Sequence, residues 1–288
     1  KYNCPIKVKR GLCMIEIYYF SGTGNSLHAA RELQKKLPGV TLIPIMAVLK
    51  EQKICSAADT VGFVFPIHAF TMPLVFEEFI NRADFSSASY IFALSTRFCS
   101  PRSISRIDQI LRKKGKSLDA FFSVRMPQNY LPAFDVESPE QIAESETRLQ
   151  DTLDTVQDII LNKQKTRPEP PPVPVKIMTG AVFPVITALD RATRYFHLEE
   201  KFYADDRCTG CGTCEKVCLA GKINRQDGRP VWDTGTDCTF CFACIHYCPA
   251  HAIQIRGKKT AERGRYQHPR INADDIAGQK QPVEEGTA

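Results

Sequence analysis

The stretch FSGTGNS occupies residues 20–26 and directly follows the apolar run 14–19. Its two glycines and three hydroxyl side chains stand where a buried strand is expected to turn into a helix, because helical periodicity begins near Asn25. The free amides and the positive dipole end of such a helix favour an anion. No lysine or arginine lies in the stretch, so we expect amides and hydroxyls to hold that anion. The predicted binding residues are Ser21, Gly22, Thr23, Gly24, Asn25 and Ser26.

The residues that follow this loop predict a parallel sheet with helices on both faces. Apolar or β-branched runs alternate with helical patterns, which is typical of a doubly wound α/β fold. The predicted strands are 14–20, 40–46, 60–65, 89–95 and 119–125, and the predicted helices are 25–36, 73–81, 101–114 and 138–163. Ser138, Pro139 and Gln141 predict a capping box at the start of the last helix. We place this first domain at residues 14–165.

A proline-rich stretch marks the expected end of the first domain. TRPEPPPVPVK at 166–176 favours an extended spacer, so residues 166–203 are predicted to be a linker followed by a helix. Residues 204–256 are predicted to be a cysteine-rich second domain, and residues 257–288 a polar, mostly irregular tail. Residues 1–13 are predicted to be an N-terminal extension outside the fold.

Length and hydropathy limit the possible classes of protein. The 288 residues suffice for one large domain or two smaller ones, and an apolar content of 43% suits a packed core. No apolar run approaches the roughly 18 residues of a membrane span. We expect neither a membrane span nor a signal peptide, and therefore a cytoplasmic protein.

Eight of the 12 cysteines crowd between residues 208 and 248. CTGCGTCEKVCL from Cys208 and CTFCFACIHYCP from Cys238 share the spacing C-x2-C-x2-C-x3-C. Three thiolates from a tight loop can hold three irons of one cubane cluster, while the fourth, one helical turn onward, serves the other cluster. Structural zinc is the alternative, but zinc motifs seldom place three cysteines at this spacing. A disulfide scaffold would require an export signal.

The ligand sets predicted from this repeat are crossed. One [4Fe-4S] cluster is assigned Cys208, Cys211, Cys214 and Cys248, and the second Cys238, Cys241, Cys244 and Cys218. This segment resembles a two-cluster bacterial ferredoxin, a small α+β domain, although Leu219 stands where the second run has Pro249. The remaining cysteines have no partner at metal spacing and are predicted to be non-ligands: Cys4, Cys13, Cys55 and Cys99.

The opening loop resembles the phosphate loop of flavodoxins, whose S/T-x-T-G-N-T/S pattern is met at residues 21–26. Walker A loops and dinucleotide fingerprints fit poorly, because the required lysine and third glycine are missing; an ordinary strand-to-helix turn remains the alternative. The resemblance implies a flavodoxin-like sheet of order 2-1-3-4-5, with FMN beyond the carboxyl ends of the first and third strands. It also implies that His68 or Phe70 flanks one face of the isoalloxazine ring and Phe98 the other.

The whole chain resembles ferredoxin-like proteins with an N-terminal flavodoxin fold, from residue 14 to about 270, including RMPQNY at 125–130 and GRYQHPRI at 264–271. A flavin accepts electrons in pairs and each cluster carries one at a time. The predicted function is therefore electron transfer between FMN, two [4Fe-4S] clusters and redox protein partners. The alternatives are a flavin-dependent oxidoreductase acting on a small substrate and an iron–sulfur redox sensor.

Charge does not favour nucleic-acid binding. The formal net charge of +6 falls to about +2 once eight ligating thiolates and two oxidised cluster cores are counted. The sequence also contains no helix-turn-helix pattern and no basic helix. We therefore expect no nucleic-acid partner.

Overall fold

The computed structural model of the protein describes residues 15–69, 71–97, 103–166, 185, 188–189, 192–193 and 197–282. The expected N-terminal extension, most of the linker and the predicted ring-stacking residues Phe70 and Phe98 lie outside the described residues.

The N-terminal part contains a five-stranded parallel sheet. Its strands are β1 Ile15–Tyr19, β2 Val40–Pro44, β3 Thr60–Pro66, β4 Tyr90–Arg97 and β5 Ala120–Arg125. They are ordered β2-β1-β3-β4-β5, and every neighbouring pair is parallel. β1 is buried along its whole length, as expected for a strand covered on both faces. The predicted flavodoxin-like fold is confirmed.

Among the residues that the structure describes, five helices accompany this sheet: α1 Asn25–Lys36, α2 Ile45–Val48, α3 Leu74–Arg82, α4 Ser103–Arg112 and α5 Pro139–Leu161. α1 packs beside α5, whereas α3 packs beside α2 and α4. α5 starts with the predicted capping box, in which the Ser138 side chain accepts a hydrogen bond from the Gln141 amide. The strand order reverses between β1 and β3, so the β1–α1 loop lies at the switch point where doubly wound folds bind ligands.

The C-terminal part is a small α+β unit. Its elements are a 3-10 helix Leu198–Lys201, β6 Phe202–Ala204, α6 Thr213–Val217, β7 Ile223–Gln226, β8 Arg229–Trp232, α7 Ala243–His246, β9 Ile253–Ile255 and α8 Ala273–Gly278. β6 pairs antiparallel with β9, and β7 with β8. The unit begins earlier than the predicted boundary at residue 204, because Phe202 already pairs with Ile255.

The segment after Gly257 differs from the polar tail that the sequence predicts. Much of it lacks regular structure, but it is packed, and it contains α8, which contacts α6. Ile271 and Ile276 belong to the same buried core as the strands of the sheet. Because the apolar side chains of this segment are few and not periodic, sequence patterning did not reveal its burial.

The two parts of the chain share one core. Val217, Leu219 and Cys241 from the cysteine-rich part lie in the same buried cluster as β1 and β3. Within the described ranges, no helix is both long and apolar enough to cross a bilayer.

Candidate functional site

The loop from Ser21 to Gly24 connects β1 to α1. Gly24 precedes α1 with φ of 102°, a left-handed conformation that glycine adopts readily. In the part of the chain that the structure describes, the amides of Gly22, Thr23, Gly24 and Asn25 have no hydrogen-bond partner. Unpaired amides at the start of a helix can hold an anion, and α1 has three turns to support them.

The two loop glycines are required by contacts within the protein. A Cβ on Gly22 would lie 2.0 Å from the Cys241 carbonyl oxygen, and a Cβ on Gly24 would lie 2.8 Å from the Cβ of His268 and 2.9 Å from that of Ile271. Gly22 and Gly24 are among the predicted anion-binding residues, and the structure also packs the loop against the second cysteine run and the C-terminal segment.

The C-terminal segment fastens the loop through hydrogen bonds. The Ser21 amide donates to Gln279 Oε1, and Gln279 Nε2 donates to the Ser21 carbonyl, both at 2.9 Å. The His268 amide donates to the Thr23 carbonyl at 2.8 Å. The Gln279 side chain is fully buried. The Ser21 amide is therefore occupied by the protein, which leaves the later amides of the loop for a ligand.

A cavity of about 360 Å³ lies beside the loop. This volume falls within the range of small-molecule and cofactor sites. Its walls come from the β1–α1 loop, the residues after β3, the segment after β5 and the second cysteine run. No lysine or arginine occurs among the described lining residues, so N–H groups and hydroxyls would have to hold an anion here. Five of the six predicted loop residues line the cavity, Gly24 being the exception: Ser21, Gly22, Thr23, Asn25 and Ser26.

Residues 126–134, which follow β5, form a wall that sequence reasoning did not assign to the site. Asn129 Nδ2 donates to Thr23 Oγ1 at 2.7 Å, and Asn25 Nδ2 donates to the Pro127 carbonyl at 2.9 Å. Because Thr23 Oγ1 accepts a hydrogen bond from Asn129, its own hydrogen is available to an acceptor in the cavity. The sequence signals for this wall were its position at the carboxyl end of a predicted strand and the stretch RMPQNY at 125–130, which belongs to the family resemblance.

His68 reaches the cavity from the loop after β3. Burial lowers the pKa of His68 to about 4, so its ring is neutral near pH 7. Its Nδ1 is buried and has no hydrogen-bond partner among the described residues, which is unfavourable unless a ligand pairs with it. Four tyrosine and phenylalanine side chains among the described residues also line the cavity: Tyr130, Phe134, Phe240 and Phe242.

His246 in α7 joins the cysteine-rich part to the cavity wall. Its Nδ1 accepts from the Tyr266 amide at 3.0 Å, which assigns the ring hydrogen to Nε2. Nε2 then donates to the Asn129 carbonyl at 2.8 Å. Burial lowers the pKa of His246 to about 4, so this neutral tautomer persists near pH 7.

A second polar cluster lies where α1, α5 and the C-terminal segment meet. His28 Nε2 lies 2.9 Å from Glu146 Oε2, and the His28 and His268 rings stack with centroids 4.0 Å apart. His268 Nε2 lies 3.6 Å from the same Glu146 Oε2, and the Arg270 guanidinium lies 3.9 Å from Glu146 Oε1. We assign this cluster a structural role, in which it holds the C-terminal segment against α1 and α5.

The structure gathers the cysteines in the crossed sets. Cys208, Cys211 and Cys214 of the first run line one small cavity together with Cys248 of the second. Cys211 is exposed, and a hydrogen bond between its sulfur and Thr213 Oγ1, 3.3 Å long, holds the pKa of this thiol below its usual range.

Cys218 of the first run lies near the second run. Burial is the main cause that raises the pKa values of Cys241 and Cys244, and the charge of Cys218 raises both further. Such coupling requires the sulfurs to be close.

Buried thiols of this kind need a compensating charge before they can act as ligands. Burial raises the pKa of Cys214 to about 11 and that of Cys238 well above its usual range. A metal centre supplies positive charge that holds coordinating thiols deprotonated.

Comparison with known proteins matches the cysteine-rich part. Residues 207–253 match the 4Fe-4S dicluster domain family. A ferredoxin of Methanothermococcus thermolithotrophicus is 34% identical over 53 residues, which are 18% of this chain and 88% of the ferredoxin. One component of an ion-translocating oxidoreductase complex of Methanosarcina acetivorans is 43% identical over 49 residues, which are 17% of this chain and 18% of that component. The chain therefore spans less than a fifth of the length of this second relative.

A solved structure is similar over the N-terminal half. The rubredoxin oxygen:oxidoreductase of the anaerobe Desulfovibrio gigas aligns with a TM-score of 0.33 and 15% sequence identity. The alignment covers 52% of this chain and 37% of the oxidoreductase chain.

The C-terminal part defines the class of this protein. Because the chain covers most of a ferredoxin at 34% identity, it belongs to the ferredoxin family through this part. The sheet order shows that the N-terminal part is flavodoxin-like, so the chain is a fusion of these two units. Its 4Fe-4S domain has the redox, electron-transfer role of that family.

Proposed function

We propose that this protein is an electron carrier that binds FMN in the 360 Å³ cavity and two [4Fe-4S] clusters on its eight crowded cysteines. One observation carries the proposal. The cavity is lined both by the phosphate-loop residues and by Phe240 and Phe242, the neighbours of the ligand candidate Cys241. A flavin in this cavity and a cluster on the second run would therefore share a wall.

The residues of the cavity fit the two ends of FMN. The unpaired amides of the loop and the Thr23 hydroxyl would hold the phosphate, as donors to a charged group. The apolar and aromatic walls suit a flat ring, and the unpaired His68 Nδ1 offers that ring a polar partner. The absence of lysine and arginine from the described lining residues agrees with the flavodoxin-like mode of phosphate binding.

The cysteines fit two clusters. Cys208, Cys211, Cys214 and Cys248 would hold one, and Cys238, Cys241, Cys244 and Cys218 the other. The raised thiol pKa values are consistent with ligands that become charged only when the metal centre forms.

When bound, FMN would accept two electrons and release them one at a time, which one-electron clusters require. The backbone of Cys241, which belongs to the set of ligands from the second run, contacts the phosphate loop. Cys211, which belongs to the first-run set, is exposed to solvent. We therefore propose that electrons pass between the cavity and the second-run set, and that a redox protein docks near the first-run set.

Replacing Thr23 with alanine should weaken FMN binding by roughly ten- to a hundredfold, because a donor to a charged phosphate contributes about 1.5 to 3 kcal/mol. Riboflavin, which lacks the phosphate, should bind wild type weakly and be almost indifferent to Thr23→Ala. Equilibrium dialysis under anaerobic conditions would measure all four affinities. The full chain is required, since a wall of the cavity comes from the second cysteine run.

Two results would contradict the phosphate-loop assignment. Equal FMN affinity in wild type and Thr23→Ala would mean that the loop does not hold the phosphate. Equal weakening of FMN and riboflavin would mean that Thr23 acts through the shape of the cavity and not through the phosphate.

A flavin-dependent reductase for a small substrate is the second candidate. Tyr130 and Phe134 line the cavity and are 41% and 49% exposed, so a substrate has an apolar route to the ring. Turnover of a small acceptor with an artificial electron donor, at a rate above that of free FMN, would favour this candidate over the electron carrier.

A further inference from the structure

The two cysteine runs differ at two positions that have the same backbone conformation. Gly210 and Gly212 follow Cys208 with φ of 70° and 79°. The matching residues of the second run are Phe240 and Phe242, with φ of 52° and 58°. The second run therefore places bulky side chains where the first run has glycine.

This conformation is unfavourable for phenylalanine. A Cβ in the left-handed region crowds the backbone, so bulky residues adopt it only when the surrounding structure imposes it. Such strained residues concentrate at ligand and active sites. Since glycine satisfies the same turn in the first run, the turn itself does not require phenylalanine.

Both phenylalanines line the cavity. Among the described residues other than glycine with positive φ, three line it, namely Ala69, Phe240 and Phe242. Phe242 also packs edge-on against Tyr130, with ring centroids 5.6 Å apart and planes at 83°. The two phenylalanines, which are strained and replace the glycines of the first run, therefore lie in the part of the cavity wall that the C-terminal part contributes.

Resting on the proposed FMN site, we infer that Phe240 and Phe242 are flavin-contact residues, and that the C-terminal part completes the isoalloxazine end of the binding site. Loop amides at one end of the cavity bind the phosphate, and the two phenylalanines pack against the ring system. FMN binding is then a property of the whole chain and not of its flavodoxin-like part.

The test is to replace each phenylalanine with leucine in the full chain and to measure FMN and riboflavin affinities by equilibrium dialysis. Leucine retains an apolar side chain but removes the flat ring, so we expect the flavin affinity of each variant to fall about tenfold. The loss should be the same for riboflavin as for FMN, because the contact is with the ring system. Phe240→Gly and Phe242→Gly copy the residues of the first run and should weaken both flavins at least as much.

Phe202→Leu is the matched control. Phe202 is buried and packs against Phe242 with ring centroids 6.1 Å apart, but it does not line the cavity. Its substitution should leave both flavin affinities unchanged. Iron and sulfide contents equal to wild type would show that the variants are folded.

Each outcome bears on one claim. Wild-type FMN affinity in the folded leucine and glycine variants would overturn the flavin-contact role and leave the proposed FMN site standing. Weaker binding of FMN with unchanged binding of riboflavin would also overturn it. No binding of FMN to the wild-type chain would overturn the proposed site itself.

Discussion

Replacing Cys218 with alanine should reduce the iron content from about eight to about four atoms per chain, through loss of the cluster held by the second run. Cys218 follows the first run in the sequence, but its charge acts on Cys241 and Cys244 of the second. A cubane with only three thiolates is open to loss of iron and sulfide. Iron and sulfide analysis after anaerobic reconstitution would give the content.

A double variant identifies which cluster is lost. If Cys218 and Cys241 serve the same cluster, Cys218→Ala with Cys241→Ala should still retain about four irons. Cys218→Ala with Cys211→Ala should retain almost none, because each cluster then lacks one ligand. The reverse pattern would show that each run holds its own cluster and would contradict the crossed assignment.

Replacing Gly22 with alanine should have the largest effect on stability, a loss of about 3 kcal/mol or more. The new Cβ would lie 2.0 Å from the Cys241 carbonyl oxygen, and neither backbone can move without disturbing its loop. We expect lower thermal stability, weaker FMN binding and reduced cluster content in one variant. Calorimetry, flavin dialysis and iron analysis would measure the three effects.

Gly235→Ala is the control for this substitution. Its added Cβ would meet only the Asp233 side-chain oxygens, at 3.7 Å, which is an ordinary contact. That variant should match wild type in all three measurements. If Gly22→Ala also matched wild type, the phosphate loop and the second cysteine run would not be packed together as described.

Much of each half follows from local patterns in the sequence. The alternating apolar and helical segments predicted the parallel sheet, and the capping box at Ser138 placed the start of α5. The strand order came from the resemblance of the loop at 21–26 to flavodoxins. The repeated spacing predicted which cysteines gather, including the exchange of Cys218 and Cys248. These features depend on residues close in sequence or on an internal repeat, so a single sequence contains them.

The contacts between the halves could not be derived in this way. Gln279 pairs with Ser21 across 258 residues, and no periodicity or motif connects the two positions. The close contact of Gly22 with Cys241 was not predicted, because Cys241 lies in the other part of the chain. The sequence shows that Phe240 and Phe242 replace the glycines of the first run. Only the backbone angles and the position of the cavity indicate why this difference matters.

The most direct test of the account is a reductive titration of the anaerobically reconstituted full chain, after unbound flavin has been removed. We predict an uptake of about four electrons per chain, two by FMN and one by each [4Fe-4S] cluster, with flavin absorbance and cluster signals changing in the same sample. An uptake of about two electrons, with all the flavin lost during its removal, would contradict the claim that this ferredoxin-family chain carries a flavin beside its clusters.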